Sequence, residues 1–502
     1  MARSLMVWGT SSGAGKSLLC TAICRWAARR GIDVAPFKAQ NMSNNARVVP
    51  GLDGGYGEIG AAQYFQALAA RAAPTVDMNP VLLKPERDTA SQVVLQGLAR
   101  EELSRLAWRE RSALLAPAAR ESFHRVHARH ALVVIEGAGS PAEINLAEHD
   151  YVNLGAARWA LDAGPLHSLL VSDIDRGGAF AHLYGTWSLL PRSLQATLAG
   201  FVLNKFRGDP ALLSPGPELL QRLTGVPLAG VLPLRHDLGL PEEDGVFETV
   251  GAAAGSTPQT RRVAVLAYPR MSNADEFQAL RQVRGVRLTW AREVADVDGA
   301  DWIILPGSKQ VSGDLRWLRE RGLADAVVAH AAAGRPVLGV CGGLQMLGVE
   351  LHDPHGVDGE AGRAAGLGLL RLRTRYAAPK RVLPLRARLE ALHGPWRGLS
   401  GLDLAGYEIR NGITEDCGSE CGSRPGPAAP CVVLRDAQGA PIGWQQAAVL
   451  GVYAHGLLES ESAMRVLFKT DVPTLDARFD VLADLLEASV APGTLESWVG
   501  LR

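Results

Sequence analysis

The chain has 502 residues, of which 47% are hydrophobic and 21% charged, and its 52 basic side chains balance its 52 acidic ones. This composition is typical of an ordinary globular chain with room for two or more domains, and a net charge of zero gives no reason to expect nucleic acid or an anionic membrane as partner. The first apolar run is too short for a signal peptide, no run reaches 18 apolar residues, and six cysteines make no disulfide framework, so we expect a cytoplasmic protein.

The amino-terminal stretch predicts a phosphate-binding loop. An apolar run at 5–8 indicates a strand, a helix is expected to continue to about residue 30, and the sequence GTSSGAGKS lies between them. Backbone N–H groups and the helix dipole would face the phosphates, Lys16 would reach the β and γ oxygens, and Ser17 would ligate Mg²⁺. The loop is one residue longer than the usual GxxxxGK[ST], because Thr10 stands where its first glycine belongs. The nucleotide-binding candidates here are Gly9, Thr10, Gly13, Gly15, Lys16 and Ser17.

A polar run, KAQNMSNN at 38–45, follows a second expected strand at 33–37. Open α/β sheets bind ligands at the carboxyl ends of their strands. Gln40, Asn41 and Asn44 are therefore candidate substrate contacts, with a solvated loop as the alternative. Further along, 57–73 is predicted to form a long helix rich in alanine and glutamine.

Three later apolar runs in this half of the chain end in polar side chains. These are, in chain order, Glu136, then Asp173 and Asp175, then Asn204. Continuous apolar runs are typical of buried parallel strands, and their alternation with helices predicts a doubly wound, mainly parallel sheet. Glu136 is placed to hold Mg²⁺ or its water opposite Ser17, so both are candidate metal ligands. Asp173 and Asp175 are candidate substrate contacts, with a structural role as the alternative.

The chain is predicted to have two domains. Periodicity is lost at 241–261, which we interpret as a linker. We expect a P-loop domain at 1–240 and a second domain at 262–502, also α/β with a doubly wound, mainly parallel sheet.

A sharp strand-to-helix elbow is predicted around Cys341, in the sequence VLGVCGGLQML. Glycines are needed there because the backbone turns so tightly that neighbouring side chains would clash. A helix amino terminus beneath the sulfur stabilises a thiolate, which suits a nucleophile, although a buried thiol in a glycine-rich turn is the alternative. Two other expected strands end near Gly307 and His455. Because the carboxyl ends of parallel strands share one sheet edge, we expect Cys341, Gly307 and His455 to lie close together.

These motifs resemble known families. The GxCxG elbow, the late histidine and the Pro-Gly-Ser loop are similar to class I glutamine amidotransferase domains, and the long P-loop resembles that of dethiobiotin synthetases. Both together, in this order, resemble the cobyric acid synthase family over nearly the whole chain. The strings that carry this resemblance are PFKAQNMSNNA, EIGAAQ, MNPVLLKP, DTASQVVLQG, EGAGSPAEINL, DIDRGG and NKFRGD.

The resemblance implies an ATP- and glutamine-dependent ligase of cobalamin biosynthesis, which amidates the b, d, e and g carboxylates of adenosylcobyrinic acid a,c-diamide. Cys341 would attack glutamine, His455 would move the proton, and Gly342 N–H with a backbone group near Gly307 would hold the oxyanion. In the other domain ATP would phosphorylate a corrin carboxylate, and ammonia would then displace phosphate. ATP and Mg²⁺ are the implied cofactors, with Asn204 as an adenine contact. Corrin and glutamine are the implied partners, and the sequence leaves a homo-oligomer open.

The sequence departs from the resembled families at three places. Leu457 stands where many class I enzymes have a glutamate two residues after the histidine, so the third triad member is unassigned, and Glu459 is the nearest carboxylate. Arg410 replaces the histidine of the family string GYEIH. A glycine- and proline-rich stretch holds three thiols, interpreted as a variable surface loop rather than a metal site because their spacing matches no zinc signature. They are Cys417, Cys421 and Cys431.

Two other functions stay open at this point. One is a related amidotransferase-ligase acting on another polycarboxylate, such as cobyrinic acid or a cell-wall precursor. The other is a nucleotide-switch protein of the partitioning type with a degenerate amidotransferase domain. Those proteins carry a second lysine early in the P-loop, and Ser11 to Gly13 offers none, which counts against this alternative.

Overall fold

The computed structural model describes residues 2–87, 90–235, 238, 260–418 and 429–500. These residues divide into two compact units, one within 1–244 and 473–502 and the other within 245–472. Residues 241–259 of the expected linker at 241–261 lie outside the described residues, and so does Cys421. Within the described ranges, no helix combines the length and the apolar character that crossing a membrane requires.

The first unit begins with alternating strands and helices. Its strands are β1 (Arg3–Gly9), β2 (Val34–Phe37), β3 (Gln40–Met42), β4 (Ala46–Pro50), β5 (Tyr56–Gly60), β6 (Val81–Arg87), β7 (Ala90–Leu95), β8 (Leu98–Ala99), β9 (Leu132–Glu136), β10 (Leu166–Asp173), β11 (Leu198–Phe206) and β12 (Leu228–Pro233). Its helices before the second unit are α1 (Lys16–Arg29), α2 (Ala61–Ala69), α3 (Glu101–Ser104), α4 (Trp108–Arg129), α5 (Ala156–Ala163), α6 (Ala179–Leu189), α7 (Arg192–Gln195) and α8 (Gly216–Thr224). Short helical turns lie at Val76–Met78, Ala147–His149, Tyr151–Gly155 and Pro210–Leu213.

The main sheet of this unit has the order β12-β11-β10-β1-β9-β2, and every pairing in it is parallel. Fully buried apolar residues fill β1 and β9, and the two faces of the sheet are covered by separate hydrophobic clusters. The predicted doubly wound parallel sheet is therefore confirmed. Its register places Glu136 beside Val7, two residues before the phosphate loop begins at Gly9.

One predicted element of this unit differs. The helix expected at 57–73 is shorter, because Tyr56–Gly60 forms β5 and pairs with β4 in an antiparallel hairpin. Only Ala61–Ala69 is helical. A Cβ on Gly57 would lie 2.6 Å from Cα of Gly97, so glycine is required there by close backbone approach.

The second unit is also α/β. Its strands are β13 (Arg261–Leu266), β14 (Met271–Ser272), β15 (Val286–Ala291), β16 (Trp302–Leu305), β17 (Gly307–Ser308), β18 (Val337–Val340), β19 (Glu350–Asp353), β20 (Gly362–Ala365), β21 (Leu372–Arg375), β22 (Arg381–Arg388), β23 (Asp403–Arg410), β24 (Ile413–Asp416), β25 (Cys431–Arg435), β26 (Pro441–Gln446) and β27 (Val449–Val452). Its helices are α9 (Val294–Val297), α10 (Val311–Glu320), α11 (Leu323–Ala332), α12 (Gly342–Leu347) and α13 (Glu461–Phe468), with 3-10 turns at Ala274–Gln282 and Gly394–Leu399.

The main sheet of the second unit has the order β15-β13-β16-β18-β27-β26-β25. The pairings from β15 to β27 are parallel, and β26 and β25 add an antiparallel edge. The strands β16, β18 and β27 are neighbours, so Gly307, Cys341 and His455 follow adjacent strand ends. This confirms the shared sheet edge predicted for them.

The carboxyl-terminal segment departs from the expected domain boundary. Its helices α14 (Leu475–Ala488) and α15 (Thr494–Trp498) belong to the first unit, whereas the sequence assigned 473–502 to the second. The physical reason is apolar burial: Phe479, Leu482 and Trp498 join the hydrophobic cluster that covers α1 and one face of the first sheet. Buried Arg25 on α1 also binds carboxylates of α14, 2.7 Å from Asp476 and 2.7 Å from Asp480.

Candidate functional sites

The predicted elbow is present at Cys341. This residue has φ 53° and ψ −107°, a backbone region that residues other than glycine rarely adopt. Helix α12 begins at the next residue. A Cβ on Gly343 would lie 1.9 Å from the carbonyl oxygen of Leu305, and one on Gly339 would lie 2.5 Å from Leu347. The flanking glycines are therefore required by the close passage of strand, helix and neighbouring strand.

His455 lies beside Cys341, the candidate nucleophile. The N–H of Cys341 donates to the carbonyl of Val452 at 2.8 Å, which fixes the elbow to β27, and Cys341 is close enough to His455 to help raise the pKa of the imidazole. The imidazole stacks on Tyr407, with ring centroids 5.0 Å apart and planes 13° apart. Backbone hydrogen bonds between Tyr407 and His455 hold this arrangement, and Gly406 is required because a Cβ there would lie 2.0 Å from the His455 carbonyl oxygen.

Glu276 is a candidate for the third triad member. Its Oε1 lies 2.9 Å from Nδ1 of His455, and its Oε2 accepts from the N–H of Gly456 at 3.1 Å. Glu276 and His455 are both almost completely buried. Burial disfavours the charged imidazolium, but the interactions of His455 with Glu276 and Cys341 outweigh it and raise the pKa of His455 to about 10. Because Glu276 holds Nδ1, Nε2 is the nitrogen available to the sulfur.

Sequence reasoning missed Glu276. It lies in a 3-10 turn after β14, 179 positions before His455, and no strand end or family string marks it. The one local signal is a pair of adjacent acidic residues between apolar ones, in the segment Ala274–Phe277. The structure buries this whole segment. Glu459, the carboxylate nearest to His455 in sequence, is not the residue that binds Nδ1.

The predicted oxyanion residues lie beside the nucleophile. A Cβ on Gly342 would lie 2.7 Å from the backbone nitrogen of Ser308, and one on Gly307 would lie 3.4 Å from Cε1 of His455. The loop after β16 is fixed because Ser308 Oγ donates to Asp314 at 2.6 Å, and Asp314 also accepts from the N–H of Arg270 at 3.0 Å. Burial raises the pKa of Asp314 to about 7. The elbow and the loop after β16 therefore pass close to each other beside Cys341, and the oxyanion role of Gly307 and Gly342 stays a prediction.

Arg410, the departure from GYEIH, also borders this site. Its guanidinium carbon lies 4.0 Å from the ring centroid of Tyr453, and its Nε donates to Glu408 at 2.8 Å. The preceding carbonyl, of Ile409, lies 3.4 Å from the Cys341 sulfur. Arginine is thus accommodated in the wall of the site by an ion pair and a cation–π contact.

The first unit contains the predicted phosphate loop. Lys16 begins α1 and its Nζ donates to the carbonyls of Ser11 and Gly139, at 3.0 Å each. Gly13 and Gly15 have φ of 71° and 106°, which glycine adopts without strain. Thr10 is bound to the adjacent strand, through its N–H to Val171 at 2.9 Å and its hydroxyl to Ser172 at 3.1 Å. A Cβ on Gly9 would lie 2.9 Å from Nζ of Lys16, so the lysine folds back over the loop.

Asn204 braces the same loop. Its Nδ2 donates to the carbonyl of Ala14 at 3.0 Å and occupies the space where a Cβ of Gly15 would lie. The side chain is 4% exposed. The adenine contact expected for Asn204 stays a prediction, and the structure gives this residue a bond to the loop instead.

The predicted metal ligands are adjacent. Ser17 Oγ donates to Oε1 of Glu136 at 2.9 Å, and Glu136 is completely buried. Lys38, which follows β2, pairs with the same oxygen at 2.8 Å, and the amides of Gln63 and Gln66 donate to the other one. Lys38 lies in the polar run at 38–45, but the sequence did not predict a role for it. Its signal is its position after β2, the strand next to β9 in the sheet.

The candidate substrate contacts separate into two groups. Gln40 accepts from the Tyr151 hydroxyl at 2.6 Å, buried Asn41 bonds to Gln63, and Asn44 donates to the carbonyl of Pro85 at 3.4 Å. The aspartates instead pair with cations. Asp173 binds Nζ of Lys205 at 3.0 Å, and Asp175 binds Arg207.

The remaining cysteines hold no metal in the described part of the chain, where no group of three or more His, Cys, Asp or Glu could bind one. Cys417 is buried and Cys431 is exposed. Cys20 and Cys24 of α1 lie in a buried hydrophobic cluster, and burial raises the pKa of both thiols.

One unit has an elbow cysteine beside a His–Glu pair, and the other has a P-loop with an adjacent carboxylate. Together these features define a class, the nucleotide-using glutamine amidotransferases. Comparison with known families agrees. Residues 5–246 match the CobQ/CobB/MinD/ParA nucleotide binding domain, and residues 262–463 match the CobB/CobQ-like glutamine amidotransferase domain.

Curated relatives are similar over nearly the whole chain. Cobyric acid synthases from Methylibium petroleiphilum, Leptothrix cholodnii and Paracidovorax citrulli are 56%, 55% and 57% identical to it. The alignments cover 98%, 98% and 96% of this chain and 96% of each relative. The chain belongs to the cobyric acid synthase family.

Proposed function

We propose that this chain amidates corrin side-chain carboxylates, using ATP and the ammonia released from glutamine. Relatives named cobyric acid synthase, at about 55% identity over nearly the full length, support the reaction. The proposed substrate is adenosylcobyrinic acid a,c-diamide, amidated at positions b, d, e and g. The proposal places the enzyme in the cytoplasm, with corrin and glutamine as its partners. The observation that supports the site assignment most directly is the 2.9 Å hydrogen bond between His455 and Glu276, with Cys341 at the end of the neighbouring strand.

In the second unit, the proposed reaction is hydrolysis of glutamine. Cys341 sulfur attacks the amide carbon, and His455 gives its proton to the leaving ammonia, so that a thioester forms. N–H groups of Gly342 and the loop at Gly307 and Ser308 hold the charge that develops on oxygen. Water then attacks the thioester with His455 as the base. Glu276 keeps the imidazole oriented through Nδ1 and compensates the imidazolium charge.

In the first unit, the proposed reaction activates the corrin carboxylate. A carboxylate is a poor electrophile until one oxygen becomes a leaving group, so the γ-phosphoryl group of ATP is transferred to it. Ammonia then attacks the acyl carbon and phosphate leaves. Lys16 and the backbone of the P-loop bind the phosphates, since loop, lysine and helix start stand in the arrangement that binds anions.

Magnesium fits the residues at the end of β9. The hydroxyl of Ser17 and the carboxylate of Glu136 are hard oxygen ligands 2.9 Å apart. They would hold Mg²⁺, which when bound neutralises charge on the β and γ oxygens. Lys38 pairs with Glu136, so this buried carboxylate has a cationic partner.

The test compares two nitrogen sources. Cys341→Ala should lose glutamine-driven amidation but keep ATP-dependent amidation with free ammonia, because only the thioester step needs the sulfur. Lys16→Ala should lose amidation from both sources. Cys431→Ala, which removes an exposed thiol, is the matched control and should behave like the unaltered enzyme. Loss of both activities in Cys341→Ala would refute two separate sites, and unchanged turnover in Lys16→Ala would refute the P-loop assignment.

Substrate choice needs its own assay. A corrin a,c-diamide, cobyrinic acid and a cell-wall precursor are offered in parallel with ammonia and ATP. The a,c-diamide should be amidated fastest, and preference for either of the other acids would reassign the substrate.

A further inference from the structure

A fixed loop brings Arg176 to the phosphate loop. The chain leaves β10 at Asp173 and reaches α6 through Gly177 and Gly178, which have φ of 77° and 68°. The N–H of Ile174 donates to the Asn204 carbonyl at 3.1 Å, and the N–H of Gly177 donates to Ile174 at 3.1 Å. A Cβ on Gly13 would lie 3.7 Å from Nη2 of Arg176, so the guanidinium rests beside the P-loop.

The charge of Arg176 is only partly compensated. Its Nε lies 3.5 Å from Oδ2 of Asp173, but Nζ of Lys205 binds that same oxygen more closely, at 3.0 Å. Two cations therefore share one carboxylate. The side chain of Arg176 is 66% exposed, whereas Asp173 is 4% exposed. A cation with open donor groups is thus held next to the loop that binds phosphates.

The P-loop itself lacks a second cation. Ser11, Ser12 and Gly13 stand where partitioning-type proteins have their additional lysine, and Nζ of Lys16 donates to the carbonyls of Ser11 and Gly139. Phosphoryl transfer gains from a second cation because charge spreads over the oxygens of the transferred group. A guanidinium suits this task, since its planar donors match two phosphate oxygens at once.

We propose that Arg176 contacts the terminal phosphate of ATP and stabilises the phosphoryl group during its transfer, as an arginine finger supplied within the chain. The inference rests on the proposed nucleotide site. In the step concerned, the bond from the γ-phosphorus to the β–γ bridging oxygen breaks and its electron pair leaves with ADP. A bond from the substrate carboxylate oxygen to that phosphorus forms. The carboxylate is already ionised, so no proton moves.

The test uses ammonia as nitrogen source, so that Cys341 has no part in the measured rate. Arg176→Ala should lower kcat at saturating ATP by about 10²–10³-fold, and Arg176→Lys should retain more activity than Arg176→Ala. Arg222→Ala removes an exposed arginine on α8 and should leave kcat unchanged. Binding of ADP with aluminium fluoride should weaken in Arg176→Ala, while binding of ADP alone should not.

Each other outcome has a definite meaning. If Arg176→Ala turns over like the unaltered enzyme while Lys16→Ala is inactive, the role of Arg176 is refuted and the nucleotide site stands. If Lys16→Ala is also fully active, the proposed nucleotide site itself fails. A raised KM for the corrin with unchanged kcat would show that Arg176 binds a substrate carboxylate, which would overturn the proposal.

Discussion

At the scale of single residues, the proposed glutaminase site contains a carboxylate that is remote in sequence. Glu276 uses both oxygens, one on the imidazole of His455 and one on the N–H of Gly456, so it fixes the ring and the turn after it. A buried imidazolium is costly without a compensating charge. We therefore expect Glu276 to control the pH range in which His455 stays protonated.

Glu276→Gln tests this control. The amide keeps a hydrogen-bonding group but removes the charge, so the pKa of His455 should fall from about 10. A protonated His455 is present below its pKa and lost above it, so the alkaline limb of glutaminase activity should move to lower pH. The maximal glutaminase rate should fall about 10²-fold, with ammonia-driven amidation unchanged. The measurement is the pH profile of glutamine hydrolysis.

Glu459→Gln is the matched control, because it alters the other carboxylate near His455 in sequence. Its pH profile should match that of the unaltered enzyme. An unshifted profile in Glu276→Gln, or a shift in Glu459→Gln alone, would contradict the assignment of the triad.

At the scale of elements, α14 is attached to α1 by a graded set of ion pairs. Arg25 is completely buried and binds Asp476 and Asp480, whereas Arg29 is one-third exposed and binds Asp484. Breaking a buried pair leaves a charge without compensation, while exposed pairs contribute little. Since α1 begins at the P-loop, α14 supports the helix that presents Lys16.

Asp480→Ala should lower the free energy of unfolding by about 1–2 kcal/mol, because Arg25 keeps Asp476 and the lost carboxylate is partly hydrated. Asp484→Ala removes an exposed partner and should change it by less than about 0.5 kcal/mol. The measurement is the change in Tm of the full chain by calorimetry. Equal shifts for the two variants would show that burial of Arg25 does not set the strength of this contact.

Strands that appear as continuous apolar runs were predicted from the sequence. Segments without such a regular pattern were not. Apolar runs ending in Glu136, Cys341 or His455 indicated parallel strands and their shared edges, because strand order follows from buried runs and short crossovers. Glu276 lies in a 3-10 turn, where no periodicity marks it. The amphipathic pattern of α14 indicates that one face of the helix is buried. It does not indicate which of the two units that face packs against.

At the scale of the whole molecule, the second unit is inserted between two segments of the first. One chain therefore carries an ammonia-producing site and an ammonia-using site. Ammonia must reach the activated carboxylate before water does. We propose that nitrogen freed at Cys341 becomes the new corrin amide, made where Lys16 binds ATP.

The most direct test follows the nitrogen atom. The enzyme is supplied with corrin a,c-diamide, ATP, glutamine labelled with heavy nitrogen in its side-chain amide, and an equal amount of unlabelled ammonium. The mass of the product is then measured by mass spectrometry. The unaltered enzyme should place heavy nitrogen in the new amides, Cys341→Ala only unlabelled nitrogen, and Lys16→Ala should form no product. Heavy nitrogen in the Cys341→Ala product, or none in the product of the unaltered enzyme, would contradict the account.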